Sequence, residues 1–164
     1  MSNILSFFKN ITKNAYNFSS FLCKVIMLGF IGGAIYYIIE CIWRGHSHIS
    51  MFILGGICFV IIGLINEIFV DSIYIEQEII IGWLVILILE FITGCIVNLW
   101  LGLGVWDYSN QPFNILGQVC PLYALLWIPI TIFAIFFDDM VRYNLFEEPK
   151  HKHKSYIVNK FKNT

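Results

Sequence analysis

Four long apolar runs limit what this chain can fold into. They cover residues 21–43, 51–70, 79–101 and 117–137. Each is about as long as the roughly 20 helical residues that cross the hydrocarbon core of a bilayer. Only 13% of the 164 residues are charged, whereas a soluble domain carries roughly 25%, so the chain lacks the groups to cover a water-facing surface. The sequence therefore predicts an all-α integral membrane protein with four transmembrane helices.

The basic residues indicate how these helices are oriented. Nearly all of them lie in or beside the two tails, and Arg44 is the exception. Four spans place both termini on the same side of the membrane, and basic residues favour the cytoplasmic side. We therefore expect a multi-pass protein of the cell membrane with cytoplasmic N- and C-termini. Residues 44–50 and 102–116 then form loops on the outer face.

The flanks of the apolar runs differ from the runs themselves in composition. In residues 1–20, apolar side chains recur at helical spacing with lysines opposite them, which predicts an interfacial helix or a disordered segment. Residues 138–164 are polar and basic, and we expect them to form a cytoplasmic tail. The predicted transmembrane domain is therefore residues 21–137.

A short pattern occurs twice in the chain. The stretch SHISMFILGGIC, which begins at Ser47, matches SNQPFNILGQVC, which begins at Ser109, at the serine, at Ile-Leu-Gly and at the cysteine. A span with a single glutamate precedes each copy, with Glu40 in the first and Glu90 in the second. The pattern predicts two parallel two-helix repeats, each with a helix opened by Ile-Leu-Gly. Chance similarity between apolar helices is the alternative.

Glycine and proline positions support this interpretation. Small residues let neighbouring helices approach closely inside lipid, and we expect this of five glycines: Gly29, Gly33, Gly55, Gly56 and Gly117. Pro112 suits a first helical turn, where its missing N–H costs nothing. Pro121 and Pro129 should bend or loosen the fourth span.

The ionisable residues within the spans are the first candidates for a functional site. Glu40 lies one helical turn before Arg44, which predicts an ion pair near the outer surface. Glu90 lies in the middle of its span without a local cation, so it should face the interior. There it would meet Arg44, a hydrogen-bond donor such as Asn98 or Gln118, or a proton. The alternative is that both glutamates only fix helix register.

The predicted outer loop adds further polar candidates. We take Asp107, Ser109 and Asn114 as substrate-site or coupling-site residues, together with the five side chains just named. Trp106 and Tyr108 are typical of anchors at the membrane interface. Nothing in the spacing predicts a metal site, a cofactor, nucleic-acid binding or a known catalytic motif, so no catalytic residue is assigned.

Several segments resemble a known family. ECIWRG, LEFITG and VWDYSNQPFNILGQVCPLYALLW are similar to the ABC-transporter type IV family, also called CmpB, and WDYSNQPFNILGQVC is the most specific part. The resemblance covers about residues 25–137. It implies a small polytopic membrane protein of a mainly bacterial group that is classed with transport. The sequence has no Walker motif, so ATP hydrolysis would need another chain.

Three functions are compatible with these features. The first is a transport component, a permease subunit for a small solute or ion. The second is a membrane enzyme that modifies a lipid or isoprenoid with Glu40, Glu90 or Asp107 as acid and base. The third is a non-catalytic scaffold or regulator. Four helices seldom enclose a wide path alone, so besides the lipid bilayer we expect a homodimer or a partner membrane or ATPase subunit.

Overall fold

Four helices account for most of the fold. The computed structural model describes residues 2–69, 72–149 and 152–157, with side chains from residue 18 onward. Within these residues the α-helices are α1 (Ser2–Arg44), α2 (Ile49–Ile68), α3 (Ile75–Gly94) and α4 (Pro121–Phe146), and α3 continues as a π-helical turn, Cys95–Trp100. The parts long and apolar enough to cross a membrane are Phe18–Arg44, Ile49–Ile68, Ile75–Trp100 and Pro121–Phe146. The predicted all-α fold with four membrane-spanning helices is confirmed.

The connections between helices meet at two opposite ends of the bundle. The long-loop end contains residues 45–48 and 101–120, and Arg44 joins the two loops by donating from Nη1 to the carbonyl oxygen of Val105 at 3.1 Å. The tail end contains residues 69, 72–74, 147–149 and 152–157. There the backbone N–H of Ile75 donates to the carbonyl oxygen of Lys154 at 2.8 Å. The helices therefore run alternately up and down.

The distribution of polar side chains is the reverse of that in a soluble protein. Large apolar residues such as Phe30, Ile42 and Leu125 are more than half exposed on the outer faces. The buried interior holds charged and polar side chains: Glu40, Asn66, Glu78, Glu90, Gln118, Thr131, Asp138 and Arg142. In water such an arrangement would expose most of the apolar surface, whereas lipid is the solvent that these outer faces match.

Close packing of α1 against α2 depends on glycine. A side-chain carbon on Gly56 would collide with the backbone of Gly29, and one on Gly33 would collide with the backbone of Phe52. Gly55 packs in the same way against the ring of Tyr36. These contacts confirm the predicted role of the glycines in the first two spans, where close backbone approach replaces the hydrophobic driving force that lipid does not supply.

The second copy of the Ile-Leu-Gly pattern does not open a helix, so that prediction was wrong. Leu116 and Gly117 have φ of 53° and 69°, and the N–H of Gln118 donates to the carbonyl oxygen of Ile115 at 3.0 Å. Two consecutive left-handed residues form a type I′ turn. A side chain on Gly117 would also collide with Ser109. The first copy lies inside α2, so the repeat arrangement is not confirmed.

The fourth span starts at Pro121, later than the predicted residue 117. Pro121 occupies the first turn of α4 and begins the helix instead of bending it. Pro112, predicted in a first helical turn, lies in the 101–120 loop. Pro129 lies inside α4, which nonetheless continues to Phe146. At the other terminus the backbone of α1 is helical from Ser2, and the predicted interfacial face of residues 1–20 lies largely outside the described side chains.

Candidate functional site

The predicted ion pair at the end of α1 is present. Oε1 of Glu40 lies 2.7 Å from Nη2 of Arg44, as one turn of helix allows. The second carboxylate oxygen accepts a hydrogen bond from the hydroxyl of Ser47 at 2.5 Å. Both oxygens of this buried glutamate therefore have donors, while the guanidinium of Arg44 also holds the 101–120 loop through Val105.

The Glu40–Arg44 pair should show strong coupling between its two charges. Glu40→Gln or Arg44→Gln leaves the other charge without its partner in a mostly buried place, which typically costs more than removing both. We expect each single variant to lower the folded yield in membranes several-fold, and the double variant to recover part of it. The measurement is the monodisperse fraction after extraction. Strictly additive losses would show that the pair does not act as a unit.

Glu90 lies near the middle of the third span, Ile75–Trp100, and is only 2% exposed. Its Oε2 accepts a hydrogen bond from the indole N–H of Trp127 in α4 at 2.8 Å, and the hydroxyl of Tyr108 also bonds to it. Burial and the nearby Glu90 carboxylate raise the pKa of Tyr108 well above its ordinary value, so the phenol remains a donor. Glu90 therefore faces the interior as predicted, and its partners are two aromatic residues.

Asn98 and Gln118, the donors expected at Glu90, bond to each other instead. Nδ2 of Asn98 donates to Oε1 of Gln118 at 2.7 Å, and the N–H of Val105 donates to Oδ1 of Asn98 at the same distance. The π-helical turn that contains Asn98 ends α3 at this point. These two amides therefore anchor the 101–120 loop to the helix end.

Asp107, Ser109 and Asn114 organise the 101–120 loop. The N–H of Ser109 donates to Oδ1 of Asp107 at 2.8 Å, and Nδ2 of Asn114 donates to the carbonyl oxygen of Gln111 at 2.8 Å. Hydrogen bonds from Ser109 lower the pKa of Asp107 below its ordinary value, so this exposed carboxylate stays ionised. The structure places these three candidates in the loop itself, apart from Glu90.

The two predicted interface anchors differ in burial. Trp106 is 5% exposed and donates from Nε1 to the carbonyl oxygen of Gln118 at 3.0 Å. Tyr108 is partly buried and stacks on Tyr123 with ring centroids 4.3 Å apart. The anchor prediction was therefore wrong for Trp106, whose ring and N–H are used inside the protein. For Tyr108 it stays a prediction.

A cavity lies beside these groups, between α1 and α4. Its volume is about 390 Å³, and its polar wall consists of Tyr36, Glu40, Arg44, Tyr108 and Tyr123. Trp127 also lines a smaller apolar cavity of about 60 Å³ deeper in the bundle. We call the larger space the α1–α4 cavity. Glu90 lies behind its wall, since Trp127 and Tyr108 line the cavity and both bond to Glu90.

A second buried polar centre, at the tail end, was not predicted. Asp138 is fully buried, and its Oδ2 accepts from Nε of Arg142 at 2.5 Å. Nη1 of the same arginine lies 3.5 Å from both Glu67 and Glu148, and Glu148 also pairs with Lys24. The spacing of Asp138 and Arg142 was visible in the sequence, but both fell in the segment assigned to a tail. We call these five residues the tail-end cluster.

His153 attaches the C-terminal segment to the bundle. Its Nε2 lies 2.6 Å from Oδ2 of Asp139, and its Nδ1 lies 3.3 Å from Oε2 of Glu78. The amide of Asn66 donates to the other oxygen of Asp139 at 2.7 Å. The ring of Phe136 meets the imidazole edge-on. Residues of α3 and α4 therefore hold this side chain directly, and Asn66 of α2 supports it through Asp139.

Attachment of residues 152–157 should depend on pH. Hydrogen bonds to Asp139 and then to Glu78 raise the pKa of His153 from 6.5 to about 9. Because the folded pKa is raised, the stabilisation is complete below about 6.5 and is lost as the pH rises through about 9. The shift from 6.5 to about 9 exceeds two pKa units, and each unit is a factor of ten in an equilibrium constant, so we expect proteolysis of the C-terminal segment to be between about tenfold and about 10²-fold faster at pH 10 than at pH 7. Equal pH dependence in His153→Gln would contradict this assignment.

The fold and its buried centres together define a class of protein. Apolar outer faces on four spanning helices, with ion pairs and carboxylates inside, are characteristic of a multi-pass membrane protein with an internal polar site. The family model described as "Putative ABC-transporter type IV" (ABC_trans_CmpB) matches residues 19–161. The chain belongs to this family, and the resemblance seen in the sequence is confirmed. No curated protein and no solved structure matches the chain.

Proposed function

We propose that this protein is a membrane-embedded transport component, a permease subunit that handles a small solute or ion. The observation that supports it most directly is the position of Glu90. This midspan carboxylate bonds to Trp127 and Tyr108, the same side chains that line the α1–α4 cavity. Among the described residues no basic side chain pairs with it. A solute in the cavity would therefore act on Glu90 through its wall.

Polar groups at the two ends of the bundle, with apolar packing between them, support a transport pathway that is closed in this conformation. The α1–α4 cavity lies at the long-loop end, and the smaller cavity continues inward to Phe59, Ile62 and Phe137. Beyond these apolar side chains lies the tail-end cluster. Alternating access requires a site with a barrier on one side, and packed apolar residues between two polar centres supply such a barrier.

The other two functions draw less support from the geometry. A membrane enzyme would need carboxylates free to move protons, but both oxygens of Glu40 already have donors, and Asp107 is tied to Ser109 in the exposed loop. The third candidate, Glu90, lies behind Trp127 and is not among the residues that line the cavity. A scaffold would need Glu90 only for packing. ATP hydrolysis would need a partner subunit, because this sequence has no Walker motif.

The experiment compares solute and lipid distributions across the membrane in cells that contain or lack the protein. A transport role predicts that at least one small molecule changes its distribution, and that the intact chain restores it. A change confined to the covalent structure of a lipid would favour the enzyme. Unchanged profiles under conditions in which the protein is expressed would contradict the proposal.

Orientation is a separate part of the proposal. We expect the long-loop end to face outward and both termini to face the cytoplasm, because basic residues concentrate in the tails. A membrane-impermeant thiol reagent should label His48→Cys and Asn110→Cys in intact cells, and should label Lys152→Cys only after the membrane is opened. Labelling of position 152 in intact cells would reverse the orientation.

A further inference from the structure

We propose that the α1–α4 cavity binds an amphipathic molecule, with a hydrogen-bond-accepting headgroup and an apolar chain, that enters sideways from the adjoining leaflet. This inference names the class of molecule that the transport site would take. Calling that molecule a substrate rests on the function proposed above. It begins from the location of the cavity. The walls come mainly from α1 and α4, which make little direct contact with each other along the bundle.

The rim of the cavity faces lipid. Ile42 is 80% exposed and Trp43 is 71% exposed on the α1 side, and Leu126 is 44% exposed on the α4 side. These are apolar residues of spanning helices, so the surface that they expose is the one that faces lipid. A molecule that lies in the leaflet can therefore reach the cavity without crossing a polar barrier.

The approach from water is obstructed by contrast. Tyr108 from the 101–120 loop forms part of the wall and stacks on Tyr123. Arg44 holds the same loop against α1 through the carbonyl of Val105. These two contacts hold the loop at the long-loop end of the cavity, so we expect entry from the aqueous side to be less favourable than entry between α1 and α4.

The chemistry of the lining favours a headgroup that accepts hydrogen bonds. Both oxygens of Glu40 are already occupied by Arg44 and Ser47. A guanidinium has five N–H donors, and in this structure Nη1 and Nη2 of Arg44 each make one hydrogen bond while Nε has no partner among the described residues. Donors therefore exceed free acceptors, and phosphate or carboxylate oxygens match a guanidinium well.

The apolar remainder of the cavity fits a chain. Ile39, Pro129 and Ile130 continue the lining away from Arg44, and Ile39 and Ile130 also reach the smaller apolar cavity. A volume of about 390 Å³ lies in the range of about 300–1,000 Å³ typical of small-ligand sites. Such a space holds a headgroup and part of one chain, with the rest of the chain in the leaflet.

The test uses the full-length protein in phosphatidylcholine nanodiscs and a dodecyl phosphate that carries a photoreactive diazirine in its chain. We expect crosslinks in residues 39–44 and 123–130, mapped by mass spectrometry and displaced by unlabelled dodecyl phosphate. Dodecyltrimethylammonium has the same chain but no acceptor, and inorganic phosphate has the head but no chain. Equal displacement by the ammonium compound would overturn the headgroup assignment, and equal displacement by inorganic phosphate would overturn the amphipathic class.

Two adjacent leucines supply matched variants. Leu126→Trp fills the rim of the cavity, whereas Leu125→Trp alters an outward-facing residue beside it. We expect crosslinking to fall roughly tenfold in the first variant and to stay unchanged in the second. Crosslinks spread evenly over the lipid-facing sides of α3 and α4 would contradict a defined site. The competition arms use the unaltered chain, so they decide the question even where Leu126→Trp fails to fold.

The outcome is separable from that of the transport proposal. Crosslinking measures binding by the purified protein, while the solute and lipid profiles measure activity in cells. A defined, displaceable site in a protein without effect on those profiles would keep the binding inference and remove the transport function. A transport effect without defined crosslinks would keep the transport function and remove the binding inference.

Discussion

Replacing Glu90 by glutamine is expected to leave the protein folded and to reduce its activity by at least about 10²-fold, the scale associated with loss of a proton-transferring group. Glutamine has nearly the same shape, and its amide oxygen can still accept from the indole of Trp127 and the hydroxyl of Tyr108. Glutamine cannot gain or lose a proton as a carboxylate can, so position 90 stays neutral. Activity is measured as restoration of the wild-type solute and lipid profile at matched membrane levels.

Two control variants separate chemistry from packing. Glu147→Gln removes a carboxylate that is exposed at the end of α4 and should leave activity unchanged. Glu90→Lys should not fold, because it buries an ammonium without a counter-charge beside the indole of Trp127, which donates but cannot accept a hydrogen bond. A fully active Glu90→Gln protein would show that this residue only packs, and the transport mechanism proposed here would lose its central group.

Arg142→Gln should be the most destabilising single change at the tail end. Removing one member of a buried ion pair typically costs about 3–5 kcal/mol, because the other charge stays buried without compensation. Here the abandoned charge is Asp138, which is fully buried and whose Oδ1 has no hydrogen-bond partner among the described residues. Glu67 and Glu148 lose the same cation. We expect almost no folded protein in membranes, measured as the monodisperse fraction after extraction.

The double variant tests whether the effect is electrostatic. Asp138→Asn keeps the volume of the side chain, which matters because Gly63 packs directly against it. Together with Arg142→Gln it removes both charges, and we expect partial recovery of folding, limited by the remaining glutamates. Lys152→Gln, in the exposed C-terminal segment, is the matched control and should behave as wild type. A stable Arg142→Gln protein would contradict the assigned role of the cluster.

Some of the candidate site could be predicted because it depends on neighbours along one helix. Glu40 and Arg44 are four residues apart, and an α-helix brings such residues together whatever surrounds them. The burial of Glu90 follows from the cost of a charge in lipid, which any midspan carboxylate avoids by facing the interior. The partners of Glu90 could not be predicted in this way. Trp127 is 37 positions away, and no local pattern distinguishes an indole that bonds a carboxylate from one that faces lipid.

The 101–120 loop shows where a local pattern misleads. Ile-Leu-Gly inside an apolar segment suggests a helix, and in the first copy it lies within one. In the second copy the polar residues before it form their own hydrogen bonds, and Leu116 and Gly117 turn the chain back. Side chains of Ser, Asn and Asp compete with the helix for backbone groups, so the same three letters take different structures in different surroundings.

The sequence alone determined that this chain is a four-helix membrane protein. Its four apolar runs are long enough to cross a bilayer, and its charged residues are too few to cover a surface in water. Only the tertiary structure decided what fills the interior. The α1–α4 cavity, the attachment of His153 to Asp139 and the tail-end cluster all join residues far apart in the chain. Lipid solvates all apolar helix faces almost equally, so the spacing of apolar residues does not show which faces of the helices pack against each other. Close approach at glycines and the pairing of buried polar groups make that selection, and both depend on the assembled bundle.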